Sequence, residues 1–313
     1  MSHRTRWAGI LAGGEGRRLR SFTKALLGDD RPKQFCRLLG QHTLLGETRH
    51  RVSQNVEPTR TLHVVTQAHE EFYRQELAGV PGELVVEQPS NRGTTIAVMY
   101  LMARAAMFDA DGLIGLFPAD HYYRDLDAFR RTIDDAYALA DAHPEAVILV
   151  GAEADRAETE YGWIEPGAAL SSHVPLSPGT TPARRVTRFC EKPAASVAMD
   201  LLERGCLWNT LVLVGRIRAF EDLVTSAIPA LLPAFDRLRE CRSFSEQSAI
   251  ASQLYRTTAS SDFSQDVLSH QPERLIVTTL SGGGWTDLGQ PERVLDVVAR
   301  RRMPLAERRV ASL

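Results

Sequence analysis

Cysteine is scarce in this chain: four residues in 313, Cys36, Cys190, Cys206 and Cys241, with no Cys-x-x-Cys pair among them. That scatter argues against structural zinc and against a disulfide framework, and it fits a reducing compartment. Long apolar runs are missing as well. The start, Met1–Arg6, meets only the short run Trp7–Ala12 before glycines interrupt it. That is too short for a secretory signal, and no run approaches the roughly 18 apolar residues of a membrane span. A cytoplasmic protein with no membrane partner is the expectation. An excess of one charge is absent too, since 37 Lys+Arg face 39 Asp+Glu for a net charge of −2. Such a balance creates no field for nucleic acid or anionic lipid. The local cluster Arg300-Arg301-Arg302 with Arg308-Arg309 reads as cations finishing a last helix. There is no Gly-x-Ser-x-Gly elbow and no His-Glu-x-x-His, so nothing points to covalent acyl chemistry or to a zinc hydrolase.

What is present is a chain 43% hydrophobic and 24% charged, enough for a substantial core. Short apolar segments at Trp7–Ala12, Leu62–Val65, Leu84–Val86, Leu113–Phe117 and Val147–Gly151 read as strands. Helical patterns lie between them at Thr43–Asn55, His69–Leu77, Thr94–Phe108 and Asp127–His143. This alternation predicts an α/β fold, a doubly wound and mostly parallel sheet. The second half is more mixed. Strands are expected at Tyr161–Pro166, Arg184–Glu191, Leu207–Gly215 and Leu275–Leu280. Helices are expected at Ala194–Arg204, Arg218–Ser226, Pro229–Glu240 and Phe244–Tyr255, and one opens at Pro291. No composition break marks a linker, so one domain over 1–313 is expected, with halves of about 1–150 and 151–313.

The most informative stretch is Leu11-Ala12-Gly13-Gly14-Glu15-Gly16-Arg17-Arg18-Leu19, followed by Arg31-Pro32-Lys33-Gln34-Phe35. A strand empties into a loop whose glycines let backbone N–H groups approach an anion closely. Two cations, Arg18 and Lys33, follow within reach. Together these describe a seat for a polyphosphate at the carboxyl edge of a parallel sheet. The Walker pattern is excluded because no Gly-Lys-Ser/Thr follows at the required spacing. The dinucleotide fingerprint is excluded because Leu19 stands where its third glycine belongs.

Those residues resemble the signature of sugar-phosphate nucleotidyltransferases, and the Pro-Lys-Gln-Phe ending is most similar to the mannose-1-phosphate guanylyltransferases. The likeness continues through Gln88–Thr95, Phe117–His121, Tyr161–Ile164, Phe189–Pro193, Trp208-Asn209 and Gly284–Gly289, in the family's order. Departures are Arg17 where a small hydroxyl residue is usual, Leu211 where a glycine is usual, and a longer segment from Ser21 to Asp30. Arg92-Gly93-Thr94-Thr95-Ile96 also replaces the usual Arg-Asn-Thr-Ala-Pro run.

Asp120 ends a strand, and Asp287 sits in Gly284-Trp285-Thr286-Asp287-Leu288-Gly289. Mg²⁺ takes a few carboxylates plus phosphate oxygens, so two aspartates are chemically sufficient if they converge. Their convergence, on Mg²⁺ or another divalent cation, is what the resemblance implies. It also implies that Leu11, Ala12, Gly13, Gly14, Gly16, Gln88, Gly93 and Thr94 line the nucleotide, and that Tyr161, Gly162, Glu191, Lys192 and Asn209 meet the sugar phosphate. From the chain itself, Pro193 is expected to hold Lys192 extended. The expected reaction joins GTP and mannose 1-phosphate, with Arg18, Lys33, Asp120 and Asp287 at the chemistry. The partners expected are these two small molecules, with a homo-oligomer allowed and no nucleic acid. No isomerase or left-handed β-helix domain is expected. A different nucleotide or hexose 1-phosphate, or a non-catalytic nucleotide-sugar-binding regulator, stays open.

Overall fold

The computed structural model describes residues 4–171, 174–178 and 180–300. The apolar segments form strands β1 (Arg6–Leu11), β2 (Thr61–Thr66), β3 (Val85–Gln88), β4 (Leu113–Pro118), β5 (Val147–Glu153), β6 (Gly162–Ala169), β7 (Arg184–Glu191), β8 (Leu207–Arg216) and β9 (Leu275–Leu280). They join in one nine-stranded sheet of order β3-β2-β1-β4-β8-β5-β9-β7-β6. β1 lies parallel between β2 and β4, with Ile10 opposite His63 and Phe117. β8 runs antiparallel between β4 and β5, whereas β5 and β9 are parallel. β6 pairs with β7 and also touches β8 through Trp163 and Trp208, which folds the far edge of the sheet back on itself. The carboxyl ends of β1, β4, β5 and β9 therefore share one edge, where ligands of open α/β sheets collect.

Helices α1 (Arg20–Leu27), α2 (Leu44–Val52), α3 (Glu70–Glu76), α4 (Gly93–Ala106) and α5 (Leu126–Ala142) belong to the first half. The second half carries α6 (Ala195–Glu203), α7 (Ile217–Ala227), α8 (Leu232–Arg239), α9 (Phe244–Thr257), α10 (Phe263–Asp266) and α11 (Pro291–Arg300). One face of the sheet packs against α4, α7, α8 and α9, the other against α2, α3, α5 and α6. α4 is apolar all round because it lies between the sheet and the outer helices, and every residue from Thr95 to Ala105 is buried.

Several expectations are corrected. Ser21–Asp30, to which no element is assigned from the sequence, is mostly α1, ended by Gly28 at φ 83. Phe22, Leu26 and Leu27 pack with Leu288, Val294, Val297 and Val298, so α1 and α11 share a small separate core. The expected helix Pro229–Glu240 is a 3₁₀ turn, Pro229–Leu231, followed by α8. α10 has no counterpart among the expected helices; Asp262 caps it by accepting from Ser264 N and Gln265 N. The basic run Arg301, Arg302, Arg308 and Arg309 lies outside the described residues. The N-cap of α4 is Arg92, with no side-chain bond to the helix start. The Thr94 hydroxyl accepts from Phe263 N at 3.1 Å and the Thr95 hydroxyl accepts from Ser261 Oγ at 2.8 Å.

The contact with Ser261 explains Gly93. Its φ is +82, and a Cβ there would stand 2.2 Å from the Ser261 carbonyl oxygen. Gly82, by contrast, has no heavy atom within 4 Å of a Cβ position. Gly93→Ala should therefore destabilise the fold by about 2 kcal/mol or more, from left-handed strain plus a backbone clash. Gly82→Ala should change it by no more than about 0.5 kcal/mol. Urea midpoints of the two variants decide the matter; equal midpoints would show that the 93–261 packing is dispensable.

Candidate active site

β1 delivers the glycine loop to the shared edge. Gln34 holds it there, donating from Nε2 to the Ala12 carbonyl at 2.8 Å and the Gly14 carbonyl at 2.7 Å. Thr66 Oγ1 donates to the Gly13 carbonyl at 2.9 Å. These bonds tie up carbonyl oxygens, leaving the loop to present its N–H groups. Gly16 (φ +61) packs against the Lys33 turn, with a Cβ 3.1 Å from Lys33 N. Gly14 has open space where a side chain would stand.

Lys33 begins a 3₁₀ turn after Pro32. Its ammonium lies 3.1 Å from Asp120 Oδ2 and donates to the Asp287 carbonyl at 2.9 Å and the Leu288 carbonyl at 3.3 Å. The two aspartates thus meet the same lysine. Asp287 Oδ1 takes three donors: Tyr161 OH at 3.1 Å, Gly289 N at 2.9 Å and Arg293 at 2.5 Å. All three use one oxygen, and Oδ2 turns toward Gly289, where a Cβ would stand 2.6 Å away. Burial alone would raise the Asp287 pKa, but the charges of Lys33 and Arg293, then His121, outweigh it and bring it to about 2. Among the described residues no group of three His, Cys, Asp or Glu is placed to hold a metal ion. What the geometry offers is a pair of carboxylates.

His121 follows Asp120, with Nε2 3.7 Å from Asp120 Oδ1. Its Nδ1 accepts from Trp285 Nε1 at 3.2 Å, which fixes the neutral ring with the proton on Nε2. Burial lowers its pKa to about 4 against the pull of Asp120 and Asp287. Trp285 also packs on Tyr161 and Trp208, forming an aromatic wall. A cavity of about 480 Å³ lies against this wall, lined by Arg124, Arg156, Trp208, Trp285 and Arg293 among others.

The expected sugar-phosphate residues also gather. Glu191 and Gly162 are cross-strand partners, and a Cβ on Gly162 would lie 2.6 Å from Glu191 Oε2 and 3.3 Å from Asn209 Cβ. Lys192 pairs with Glu191 at 2.9 Å, and its N donates to the Tyr161 carbonyl at 3.2 Å. The expectation that Lys192 is extended fails: its φ is 44, in the left-handed region, so Pro193 does not set its geometry. Asn209 Oδ1 accepts from Leu211 N at 3.0 Å, within a register shift of β5 against β8. Leu211, at φ 53, keeps the conformation that the family's usual glycine would take without strain. Arg18 is half-exposed and pairs with Glu160 at 2.8 Å. Gln88 is buried beneath Gly13, its Oε1 accepting from Tyr255 OH at 3.1 Å. Gly93 N donates to Asn91 Oδ1 at 2.9 Å.

Sequence reasoning missed Gln34's clamp, Glu158, Arg293 and the Ser261–Asp262 segment. Only Gln34 carried a signal, as part of Pro-Lys-Gln-Phe; the others are ordinary charged or polar residues whose neighbours are set by tertiary packing.

The family model "Nucleotidyl transferase" matches residues 8–302. The chain belongs to that nucleotidyltransferase family. It is similar to the Xanthan biosynthesis protein XanB of Xanthomonas campestris pv. campestris (strain B100), 26% identical over 292 residues, covering 92% of this chain and 58% of that protein. A mannose-1-phosphate guanylyltransferase of Salmonella montevideo is 31% identical over 219 residues, covering 68% of this chain and 44% of its own length. The chain thus spans only about half the length of such relatives. Among solved structures, a Thermus thermophilus protein described as mannose-1-phosphate geranyltransferase superposes with a TM-score of 0.76 at 28% identity, over 94% of this chain and 79% of that one. No helix of the described residues is long and apolar enough to cross a membrane.

The buried neutral imidazole gives a pH prediction. A group held below its ordinary value of 6.5 binds fewer protons folded than unfolded between pH 6.5 and about 4. Stability of the metal-free protein should therefore fall as pH drops through that window, by about 3 kcal/mol in all. His121→Gln should flatten that part of the curve. Parallel stability-versus-pH curves for the two proteins, measured in chelator, would rule the effect out.

Proposed function

We propose that this nucleotidyltransferase-family protein transfers GMP from GTP to mannose 1-phosphate, giving GDP-mannose and pyrophosphate. The observation that carries the reading is the convergence of Lys33, Asp120 and the Asp287 loop beside an amide-presenting glycine turn. The names of the Salmonella and Thermus relatives favour a mannose 1-phosphate acceptor.

The attacking group is a phosphate oxygen, already ionised at neutral pH, so no general base is required. What the reaction needs is in-line alignment and relief of repulsion between two polyanions. The Gly13–Gly16 amides and Arg18 would hold the triphosphate and its leaving pyrophosphate. Lys33 would pass from Asp120 onto the reacting phosphates, and Lys192 would dock the sugar phosphate. Glu191 and Asn209 would take sugar hydroxyls. Leu11 and Ala12 would support the nucleotide from the end of β1, with Gln88, Gly93 and Thr94 on the base side. Tyr161 and Gly162 would floor the sugar pocket. Asp120 and Asp287 would hold Mg²⁺ or another divalent cation, which fits because each keeps one carboxylate oxygen outside its hydrogen bonds. When bound, such a cation supplies charge neutralisation at the α-phosphate.

A pyrophosphate-release assay across four nucleoside triphosphates and several hexose 1-phosphates tests the assignment, with GTP plus mannose 1-phosphate expected to be fastest. Release with a different pair would move the specificity, and release with none would remove the activity. Lys33→Ala should lower turnover on the order of 100-fold or more while the protein stays folded, as removal of one transition-state donor does. Asp120→Ala should abolish metal-dependent turnover, and full-rate activity of the wild type in excess chelator would exclude the metal assignment.

A further inference from the structure

Asp287 has a basic partner that the proposed reaction does not use. The Arg293 guanidinium bonds Asp287 Oδ1 at 2.5 Å and Glu158 Oε2 at 2.9 Å, and it lies 4.4 Å over the Tyr161 ring. Its side chain is only 9% exposed. With Lys33 on Asp120, the site balances two carboxylates against two cations, one for one. Glu158 has a second cation, Arg156, whose Nε stands 3.5 Å from it and whose closer partner is Asp155 at 2.9 Å. A divalent ion entering alone would bring two positive charges to carboxylates that already hold cations, and would meet Arg293 at close range. An ion arriving with a polyphosphate brings its own negative charge.

We infer that Arg293 is the resident counter-ion of Asp287 and keeps divalent cations off that carboxylate until a polyphosphate delivers them. This rests on the reading of Asp120 and Asp287 as cation ligands. α11 supplies the residue, and the small core that α11 shares with α1 holds it in place. Arg293 also borders the 480 Å³ cavity, which gives its side chain open space beside Asp287. It acts through Asp287 and is a positioning residue, setting the order in which cation and nucleotide bind.

The experiment is Mn²⁺ titration of the nucleotide-free protein, followed by calorimetry or by the electron paramagnetic resonance of free Mn²⁺. Arg293→Met should bind Mn²⁺ roughly tenfold or more tightly than wild type, because one cation beside the carboxylate is gone. Arg293→Lys should stay close to wild type, and adding Asp287→Asn to Arg293→Met should erase the gain. A folded Arg293→Met protein with wild-type affinity, or an equal gain in Arg293→Lys, overturns the inference. If Arg293→Met does not fold, Glu158→Gln serves: it confines the guanidinium to Asp287, so Mn²⁺ should bind more weakly, and unchanged or tighter binding overturns the idea. The pyrophosphate assay on the wild type separates the two claims. Transfer without the Mn²⁺ shift leaves the activity and removes the counter-ion, and a Mn²⁺ shift without transfer does the reverse.

Discussion

A lysine ammonium 3.1 Å from Asp120 Oδ2 and 2.9 Å from the Asp287 carbonyl can satisfy both only if three loops stay in register. One loop leaves β4, one leaves β9, and the third is the turn at Pro32. Each is braced separately. The β4 end is buried and parallel to β1. An isolated bridge ties Tyr122 to Thr286. The Pro32 turn sits against the glycine loop through Gln34 and against the Asp287 loop through the core shared by α1 and α11. The hydrophobic contacts of that core carry no charge, yet they decide where the charges stand. Packing sets the electrostatics here, because ion pairs of this exposure could not by themselves order three loops.

Backbone strain falls in the same region. Among the described residues, the positive-φ residues other than glycine are Lys192, Leu211 and Leu288. Lys192 follows Glu191, Leu211 donates to Asn209, and Leu288 gives its carbonyl to Lys33. A left-handed conformation costs a residue with a Cβ roughly 1–2 kcal/mol. Such positions persist only where surrounding structure over-determines them. At Leu288 the over-determination is visible, since the side chain is completely buried in the α1–α11 core. At Leu211 it is the register shift in β8, where Asn209 Cβ comes within 3.3 Å of a Cβ position on Gly162. The strain and the placement of Glu191, Asn209 and Lys33 are products of the same local distortions.

Much of the fold is legible in the chain because its strands are short apolar runs separated by amphipathic helices, a pattern that depends on neighbours in sequence. The glycine loop, Lys33 and the two aspartates are legible for a similar reason, as local chemistry at strand ends. The convergence of Asp120 and Asp287 is not, because it depends on a sheet order that places β8 between β4 and β5. α1 escapes a sequence reading since only Phe22, Leu26 and Leu27 carry its apolar face, and their partners lie more than 250 residues away in α11. The usual rule for a residue before proline fails at Lys192 because a tertiary contact overrides it, the bond from its N–H to the Tyr161 carbonyl. Arg293 carries no local mark at all.

Every basic side chain assigned to a phosphate already has a carboxylate partner: Lys33 with Asp120, Arg18 with Glu160, Lys192 with Glu191. Binding a polyanion is then an exchange of ion pairs, and its net strength is the difference between the pairs made and the pairs released. The three exchanges differ in difficulty. Arg18–Glu160 is 52% and 41% exposed, so giving it up loses little. Lys33–Asp120 is 12% and 25% exposed, and a carboxylate stripped of its cation there is left partly desolvated. That penalty falls on the aspartate, and only a new positive charge beside Asp120 removes it. On the proposed reading, a nucleotide would recruit Lys33 fully only if it also brought a cation for Asp120, which would couple the two binding events.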